Sequence, residues 1–128
     1  MNDTSFALRV ERVGRPGAAA APTLVLLPAA ATTADDFVRE GFIDELDALG
    51  IDATVISAAM PLDVYAADRV VALVKAQLGT TTGAAPGPIW FVGISLGAMT
   101  ALACAEAHPS AIAGVFAIAP WPGPRGLW

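Results

Sequence analysis

Ser95 is the residue of this sequence whose surroundings best suit a nucleophile. It is the serine of a G-x-S-x-G pattern at residues 93–97. A β-branched and aromatic run precedes the pattern and an alanine-rich segment follows it, which is the strand–turn–helix context that gives such a turn its meaning. The turn exposes the serine Oγ at a sharp corner, and Gly93 and Gly97 leave room where a Cβ would collide. The sequence therefore predicts acyl-transfer chemistry at Ser95.

Acyl transfer also requires two hydrogen-bond donors for the developing oxyanion. The Leu96 N–H is one predicted donor, because the first N–H groups of a helix have no partner within it. The second is expected from the segment LLPAAATT, residues 26–33, where the small Ala29 and Ala30 let the backbone approach a substrate. We expect Ala30 to supply that N–H and Ala29 to line the pocket. Trp121 is equally suited to line this pocket or simply to pack.

A serine nucleophile needs a general base, and the sequence offers one histidine, His108. It follows Ser95 by thirteen residues and lies toward the far end of the same predicted helix. At about 1.5 Å of rise per residue, the separation is close to 20 Å, whereas a base must lie within hydrogen-bond reach. His108 is therefore predicted to complement the helix dipole at its C-terminal end. Without a base Ser95 is a weak nucleophile, although oxyanion binding alone leaves a residual rate.

Alternating apolar strands and helices are predicted around this serine. The predicted strands are residues 5–13, 23–28, 51–57, 89–94 and 112–120, and the predicted helices span about 33–49, 64–79 and 97–107. Such alternation favours an α/β fold, a mostly parallel sheet with helices on both faces. In such sheets ligands bind at the carboxyl ends of the strands. Ser95 and the loops 28–32 and 120–124 are all expected at that edge.

Composition excludes several classes of function. With 128 residues the chain is at most one domain, and its net charge of −5 and pI near 4.5 argue against nucleic acid binding. Its single cysteine, Cys104, excludes an internal disulfide and a cysteine-based zinc site, and is expected in the core. The N-terminus has no signal-peptide pattern, and no apolar run approaches a membrane span. A cytoplasmic protein is expected.

The chain resembles the α/β-hydrolase family over nearly its whole length. LVLLPAAATTADDF is similar to the family's strand and oxyanion loop, and WFVGISLGAMTALACAEAHPSAIAGVFAIAP to its nucleophile strand, elbow, helix and following strand. In the oxyanion loop this chain has Pro28-Ala29, where members of the family frequently have His-Gly. The resemblance implies an α/β-hydrolase-like sheet, with residues 1–128 as the N-terminal part of a single domain. It also implies Ser95 as nucleophile and the N–H groups of Leu96 and Ala30 as oxyanion donors.

The resemblance implies a serine hydrolase of the esterase, lipase or thioesterase kind. Such an enzyme acts on an ester or thioester bond of a small-molecule acyl substrate and needs no cofactor and no metal. The family's Asp or Glu and its His lie at the ends of strands later than residues 112–120. This chain is expected to be truncated after the strand that follows the nucleophile helix. We therefore expect the acid and the histidine of the triad to be missing from it. Alone, it is expected to be inactive or nearly so.

Two other interpretations of these residues remain open. A non-catalytic remnant or pseudoenzyme would retain the same residues and bind a ligand or a partner. An acyltransferase would use the same turn and differ in its acceptor, whereas a dehalogenase is disfavoured because it needs Asp where Ser95 stands. An exposed sheet edge would also favour self-association.

Overall fold

A computed structural model describes residues 8–14, 21–29, 35–58, 71–72, 76 and 87–120. The regular elements within these ranges are β1 (Leu8–Val13), β2 (Thr23–Leu27), α1 (Asp36–Arg39), α2 (Phe42–Ala48), β3 (Ala53–Ala58), β4 (Ile89–Ile94), α3 (Leu96–Ala107) and β5 (Gly114–Ile118). Every strand predicted from the sequence is present, with shifts at the ends.

The five strands form one sheet in the order β1-β3-β2-β4-β5. β1 runs antiparallel to β3, and every other neighbouring pair is parallel. This confirms the predicted mostly parallel α/β sheet. The alternation of residues 5–13 predicts a strand at a sheet edge or in an antiparallel pair, and β1 is both. Val10 packs in the cluster under α3 and Val13 is buried in the cluster on the opposite face, so β1 contributes apolar side chains to both faces.

β2 lies in the middle of the sheet and is apolar on both sides. Val25 and Leu27 point to one face, and Leu26 points to the other. All three are buried, as expected for a parallel strand covered on both faces. The central position of β2 therefore follows directly from its continuous apolar run.

α3 covers the face of the sheet to which Val25 and Leu27 point. Its buried residues there include Ala101 and Cys104, which pack with Phe91 of β4. Cys104 is fully buried, which confirms the prediction that it belongs to the core. Because the contacting side chains of α3 are small, the helix can lie close to the strands.

The first predicted helix is wrong in one respect, since the structure has two short helices in its place. α1 ends at Arg39 and α2 begins at Phe42, with Gly41 in the left-handed conformation at φ 86°. A left-handed residue cannot continue an α-helix, so the chain changes direction at Gly41. Phe37 of α1 and Phe42 then meet edge to face, 5.0 Å between ring centroids.

Other helix boundaries agree with the sequence. Gly50 directly follows the helix predicted over about 33–49, where a glycine favours the end of a helix, and it ends the α2 segment in the left-handed conformation at φ 71°. α3 matches its predicted span to within one residue. Of the predicted helix 64–79 the structure describes Val71, Ala72 and Ala76, which are helical. Val71 packs in the cluster under α3. Thr33, whose side chain suits a cap at the start of the helix predicted over about 33–49, lies outside the described residues.

Candidate active site

Ser95 lies in a strained turn between β4 and α3. Its backbone adopts φ 56° and ψ −114°, a region that non-glycine residues rarely occupy. Such a conformation costs on the order of 1–3 kcal/mol and persists only where the surrounding structure fixes it. The cost marks Ser95 as a residue held for a reason other than stability.

Hydrogen bonds fix this turn from both sides. The Ser95 N–H donates to the carbonyl of Ile118 at the end of β5, 2.9 Å away. The Ser95 carbonyl accepts from the N–H groups of Ala98, at 3.1 Å, and Met99, at 3.3 Å. Ala119 directly after β5 also has a positive φ, 47°. Two strained residues therefore follow the carboxyl ends of neighbouring strands.

The glycines on either side of Ser95 have no room for a side chain. A Cβ on Gly93 would overlap the carbonyl of Gly97, and a Cβ on Gly97 would overlap the carbonyl of Leu27 and lie 2.5 Å from that of Pro28. The start of α3 therefore rests directly on the end of β2. This contact places the segment that begins with Pro28 beside the serine turn.

The first turn of α3 lies directly beside Ser95. The N–H groups of Ala98 and Met99 are used by the Ser95 carbonyl, and that of Leu96 precedes them at the first helical position. The Leu96 side chain is buried, whereas Ser95 is partly exposed. An oxyanion hole needs two backbone donors, so the role of the Leu96 N–H as one of them stays a prediction. Ala30 and Trp121 lie outside the described residues, so their expected roles stay predictions.

His108 is not brought to Ser95. It lies immediately after Ala107, the last residue of α3, and its N–H donates to the Cys104 carbonyl at 2.9 Å. The twelve residues of α3 separate the two side chains by close to 20 Å at about 1.5 Å per residue. His108 ends the helix and cannot act as the base for Ser95 within this chain.

A cavity of about 300 Å³ lies next to the turn, on the opposite face of the sheet from α3. It is lined by Pro28, Ala29, Asp36, Phe37, Glu40, Phe42 and Ile94. Ile94 directly precedes Ser95, and Ala29 is the residue expected from the sequence to line a pocket. Sequence reasoning missed Phe42 because its position depends on the break at Gly41. The helical spacing of Phe37 in the sequence predicts a buried residue, but spacing does not show which residues Phe37 contacts.

One exposed ion pair connects β1 with the start of α1 near this cavity. The Arg9 guanidinium donates to Asp35 at 2.6 Å and, within β1, to Glu11 at 2.8 Å. The hydrogen bond to Asp35, and after it the bond to Glu11, raises the pKa of Arg9. Asp36 pairs with Arg39 one turn later. Among the described residues, no group of three or more His, Cys, Asp or Glu is placed to hold a metal ion.

The chain is similar in structure to solved α/β-hydrolases. Est1E from Butyrivibrio proteoclasticus, solved with ferulic acid bound, superposes with a TM-score of 0.70 at 11% identity, over 90% of this chain and 49% of that one. MGS-MChE2, an α/β-hydrolase from a sediment metagenome of the lagoon of Mar Chica, Morocco, superposes with a TM-score of 0.61 at 18% identity, over 90% of this chain and 48% of that one. Monoacylglycerol lipase from Paleococcus ferrophilus superposes with a TM-score of 0.60 at 21% identity, over 85% of this chain and 41% of that one.

These similarities show the α/β-hydrolase fold, and the chain spans about half the length of the solved structures it resembles. No protein-family model and no curated protein matches the sequence. None of the helices in the described ranges is long and apolar enough to cross a membrane.

Proposed function

We propose that this chain, which has the α/β-hydrolase fold, carries the nucleophile and oxyanion hole of a serine hydrolase that cleaves an ester or thioester. The observation that supports this most strongly is the strained Ser95 turn, fixed between the end of β5 and the first turn of α3. A serine in an ordinary loop has no need of such strain. In a nucleophile the strained turn exposes the hydroxyl and places it beside the N-terminus of a helix. Solved proteins of the same fold that are esterases and lipases agree with this assignment.

In the proposed reaction the Ser95 Oγ attacks the acyl carbonyl carbon while its proton passes to a general base. The carbonyl oxygen becomes an oxyanion that accepts hydrogen bonds from the N–H groups of Leu96 and Ala30. The C–O or C–S bond to the leaving group then breaks, and that group takes the proton from the base. A water molecule, deprotonated by the same base, attacks the acyl-serine and releases the carboxylic acid and Ser95.

The base and its acidic partner are assigned to polypeptide outside these 128 residues. His108, the only histidine, lies close to 20 Å from Ser95 along α3. The solved structures of this fold are about twice as long as this chain. The isolated chain is therefore expected to hydrolyse esters at most slowly, since the oxyanion hole alone gives part of the rate.

A second candidate function is non-catalytic, in which the chain binds a ligand or a partner without turning it over. The absence of a usable histidine in the sequence favours it. An acyltransferase remains a variant of the first proposal, because it differs only in the acceptor that replaces water.

The source DNA downstream of the Trp128 codon separates the two functions. The hydrolase proposal predicts that the reading frame continues, or resumes after one shift, into further strands followed by an Asp or Glu loop and a His loop. A stop codon with no such strands nearby would contradict it and favour the binding function. Where the longer product is found, Ser95→Ala should remove its esterase activity, and Ser110→Ala, which changes an exposed serine after α3, should leave it intact.

A further inference from the structure

Ala119 has an unusual backbone conformation for an alanine. It directly follows β5 and has a φ of 47°, in the left-handed region where the Cβ of any residue other than glycine crowds the backbone. It also precedes Pro120, whose ring restricts the conformation of the residue before it. The structure therefore holds Ala119 in a conformation that alanine does not favour.

The other described residues with a positive φ show how this chain ordinarily builds such a turn. Three of the five are the glycines Gly14, Gly41 and Gly50, and the remaining two are Ser95 and Ala119. Glycine adopts this region without steric cost. The strain at Ser95 is explained by the proposed role of its hydroxyl group as a nucleophile. The strain at Ala119 requires an explanation of the same kind.

The two strained residues are neighbours in space. Ile94 and Ile118 are register partners on the parallel strands β4 and β5, and each is followed by a strained residue. The Ser95 N–H donates to the Ile118 carbonyl at 2.9 Å, and this carbonyl belongs to the peptide bond that joins Ile118 to Ala119. Ala119 therefore lies directly beside Ser95, at the carboxyl ends of the strands, where ligands bind in sheets of this kind.

The methyl group of Ala119 does not contribute to the core. Ala119 is exposed, whereas Ala98 and Ala101, which pack α3 on the strands, are fully buried. At a positive φ the steric cost of a Cβ exceeds what alanine gains over glycine from a less flexible unfolded chain. What the methyl group offers in return is a contact with a molecule bound at Ser95.

We propose that Ala119 is a specificity-determining residue of the Ser95 site, whose methyl group limits the width of the acyl group that the serine accepts. Because Ala119 lies directly beside Ser95, its methyl group meets the part of the acyl chain that is closest to the carbonyl carbon. The substrates are therefore esters or thioesters with acyl chains that are unbranched near the carbonyl. This inference rests on the proposed function of Ser95 and adds to it a preference between acyl groups.

The test compares two p-nitrophenyl esters of the same leaving group, the butanoate and the branched tert-butylacetate, at alkaline pH with the intact chain. The Ser95 Oγ attacks the carbonyl carbon, its proton passes to hydroxide, and the bond to p-nitrophenolate breaks. The acyl-serine accumulates because His108, the one histidine, lies too far away to activate water for its hydrolysis. Peptide mapping by mass spectrometry gives the acylation rate at Ser95, and Ser95→Ala supplies the background.

The quantity compared is the ratio of the two acylation rates, branched to unbranched, because a general change in Ser95 reactivity cancels in it. Ala119→Gly removes the methyl group and should raise this ratio about tenfold, as one carbon atom in an acyl pocket does. Ala119→Asn enlarges the side chain with a residue that tolerates a positive φ, and should lower the ratio. Ala113→Gly, the same change at an exposed alanine before β5, should leave it unchanged.

Thermal unfolding of the same variants separates a contact with substrate from a role in the fold. Ala119→Gly should raise the melting temperature by about 2–5 °C, because it relieves the strain, whereas Ala113→Gly should lower it. Circular dichroism at one fixed chain concentration measures both and verifies that each variant is folded. A more stable chain with a changed acyl preference is the result expected of a methyl group that acts on the substrate.

Two results would overturn this proposal and leave Ser95 as a nucleophile. One is an equal ratio in the parent chain, Ala119→Gly and Ala119→Asn. The other is a lower melting temperature of Ala119→Gly, which would mean that the methyl group packs within the fold. If neither ester acylates Ser95 in any of these chains, the proposed hydrolase function itself fails, and this inference fails with it.

Discussion

The two faces of the sheet are built from alternate residues of the same strands, yet they are packed very differently. In β4, Phe91 and Gly93 face α3, and Phe91 is 1% exposed. The residues between and after them, Val92 and Ile94, face the other way, and each lines a separate cavity beside α1 and α2. In β5, paired to the same strand, Phe116 on that second face is 60% exposed.

The close packing that fixes the serine turn lies on the face covered by α3. Ser95 passes directly into α3, so the helix must begin close against β2 and β4. Gly93, Gly97 and Ala98 supply that closeness, and no larger residue fits at either glycine. The close contacts that hold the strained turn therefore lie between α3 and the strands that this helix covers.

Paired phenylalanine substitutions should give the largest difference between the faces. Phe91→Ala should lower the free energy of unfolding by about 3–5 kcal/mol, because it leaves a cavity under α3. Phe116→Ala removes a mostly exposed ring and should change it by less than about 0.5 kcal/mol. Urea denaturation followed by circular dichroism measures both. Similar losses in the two variants would mean that the faces are equally well covered.

Glycine substitutions test the closeness of α3 to β2. Gly97→Ala should cost about 1–3 kcal/mol, as overpacking against backbone does, and should displace the turn. Gly50→Ala is the control, since its Cβ meets nothing within 4 Å and only its positive φ opposes it; a cost near 1 kcal/mol is expected. Chemical denaturation compares the two, and a Gly97→Ala variant as stable as the parent would refute the tight contact.

Self-association through the unpaired edge of β5 should be the smallest of these effects. Within the described residues β5 pairs with β4 alone, so its outer N–H and C=O groups offer a template for another strand. We expect the isolated chain to associate as its concentration rises, through backbone pairing at β5. Sedimentation velocity over a range of concentrations measures this. A monodisperse monomer with a sharp, concentration-independent unfolding transition would contradict it.

Much of this fold could be predicted because its strongest signals are local. The continuous apolar runs of β2 and β4 predict buried parallel strands, and the glycines around Ser95 predict the turn. Gly41 weakens the helix predicted over about 33–49, because glycine is a poor helix former. Whether that helix bends or breaks depends on how Phe37 and Phe42 pack. The cavity beside Ser95 arises from that break, so its lining could not be derived from spacing alone.

The central claim is that Ser95 is a nucleophile in a pre-formed turn, and covalent labelling tests it most directly. The intact chain is incubated with a fluorophosphonate, which forms a P–O bond to an accessible serine and releases fluoride, and the product is mapped by mass spectrometry. Slow labelling at Ser95, absent from Ser95→Ala and unchanged in Ser110→Ala, is the result predicted. Labelling distributed equally over exposed serines, or lost from a Ser110→Ala variant, would show that the Ser95 turn confers no special reactivity and would contradict the account.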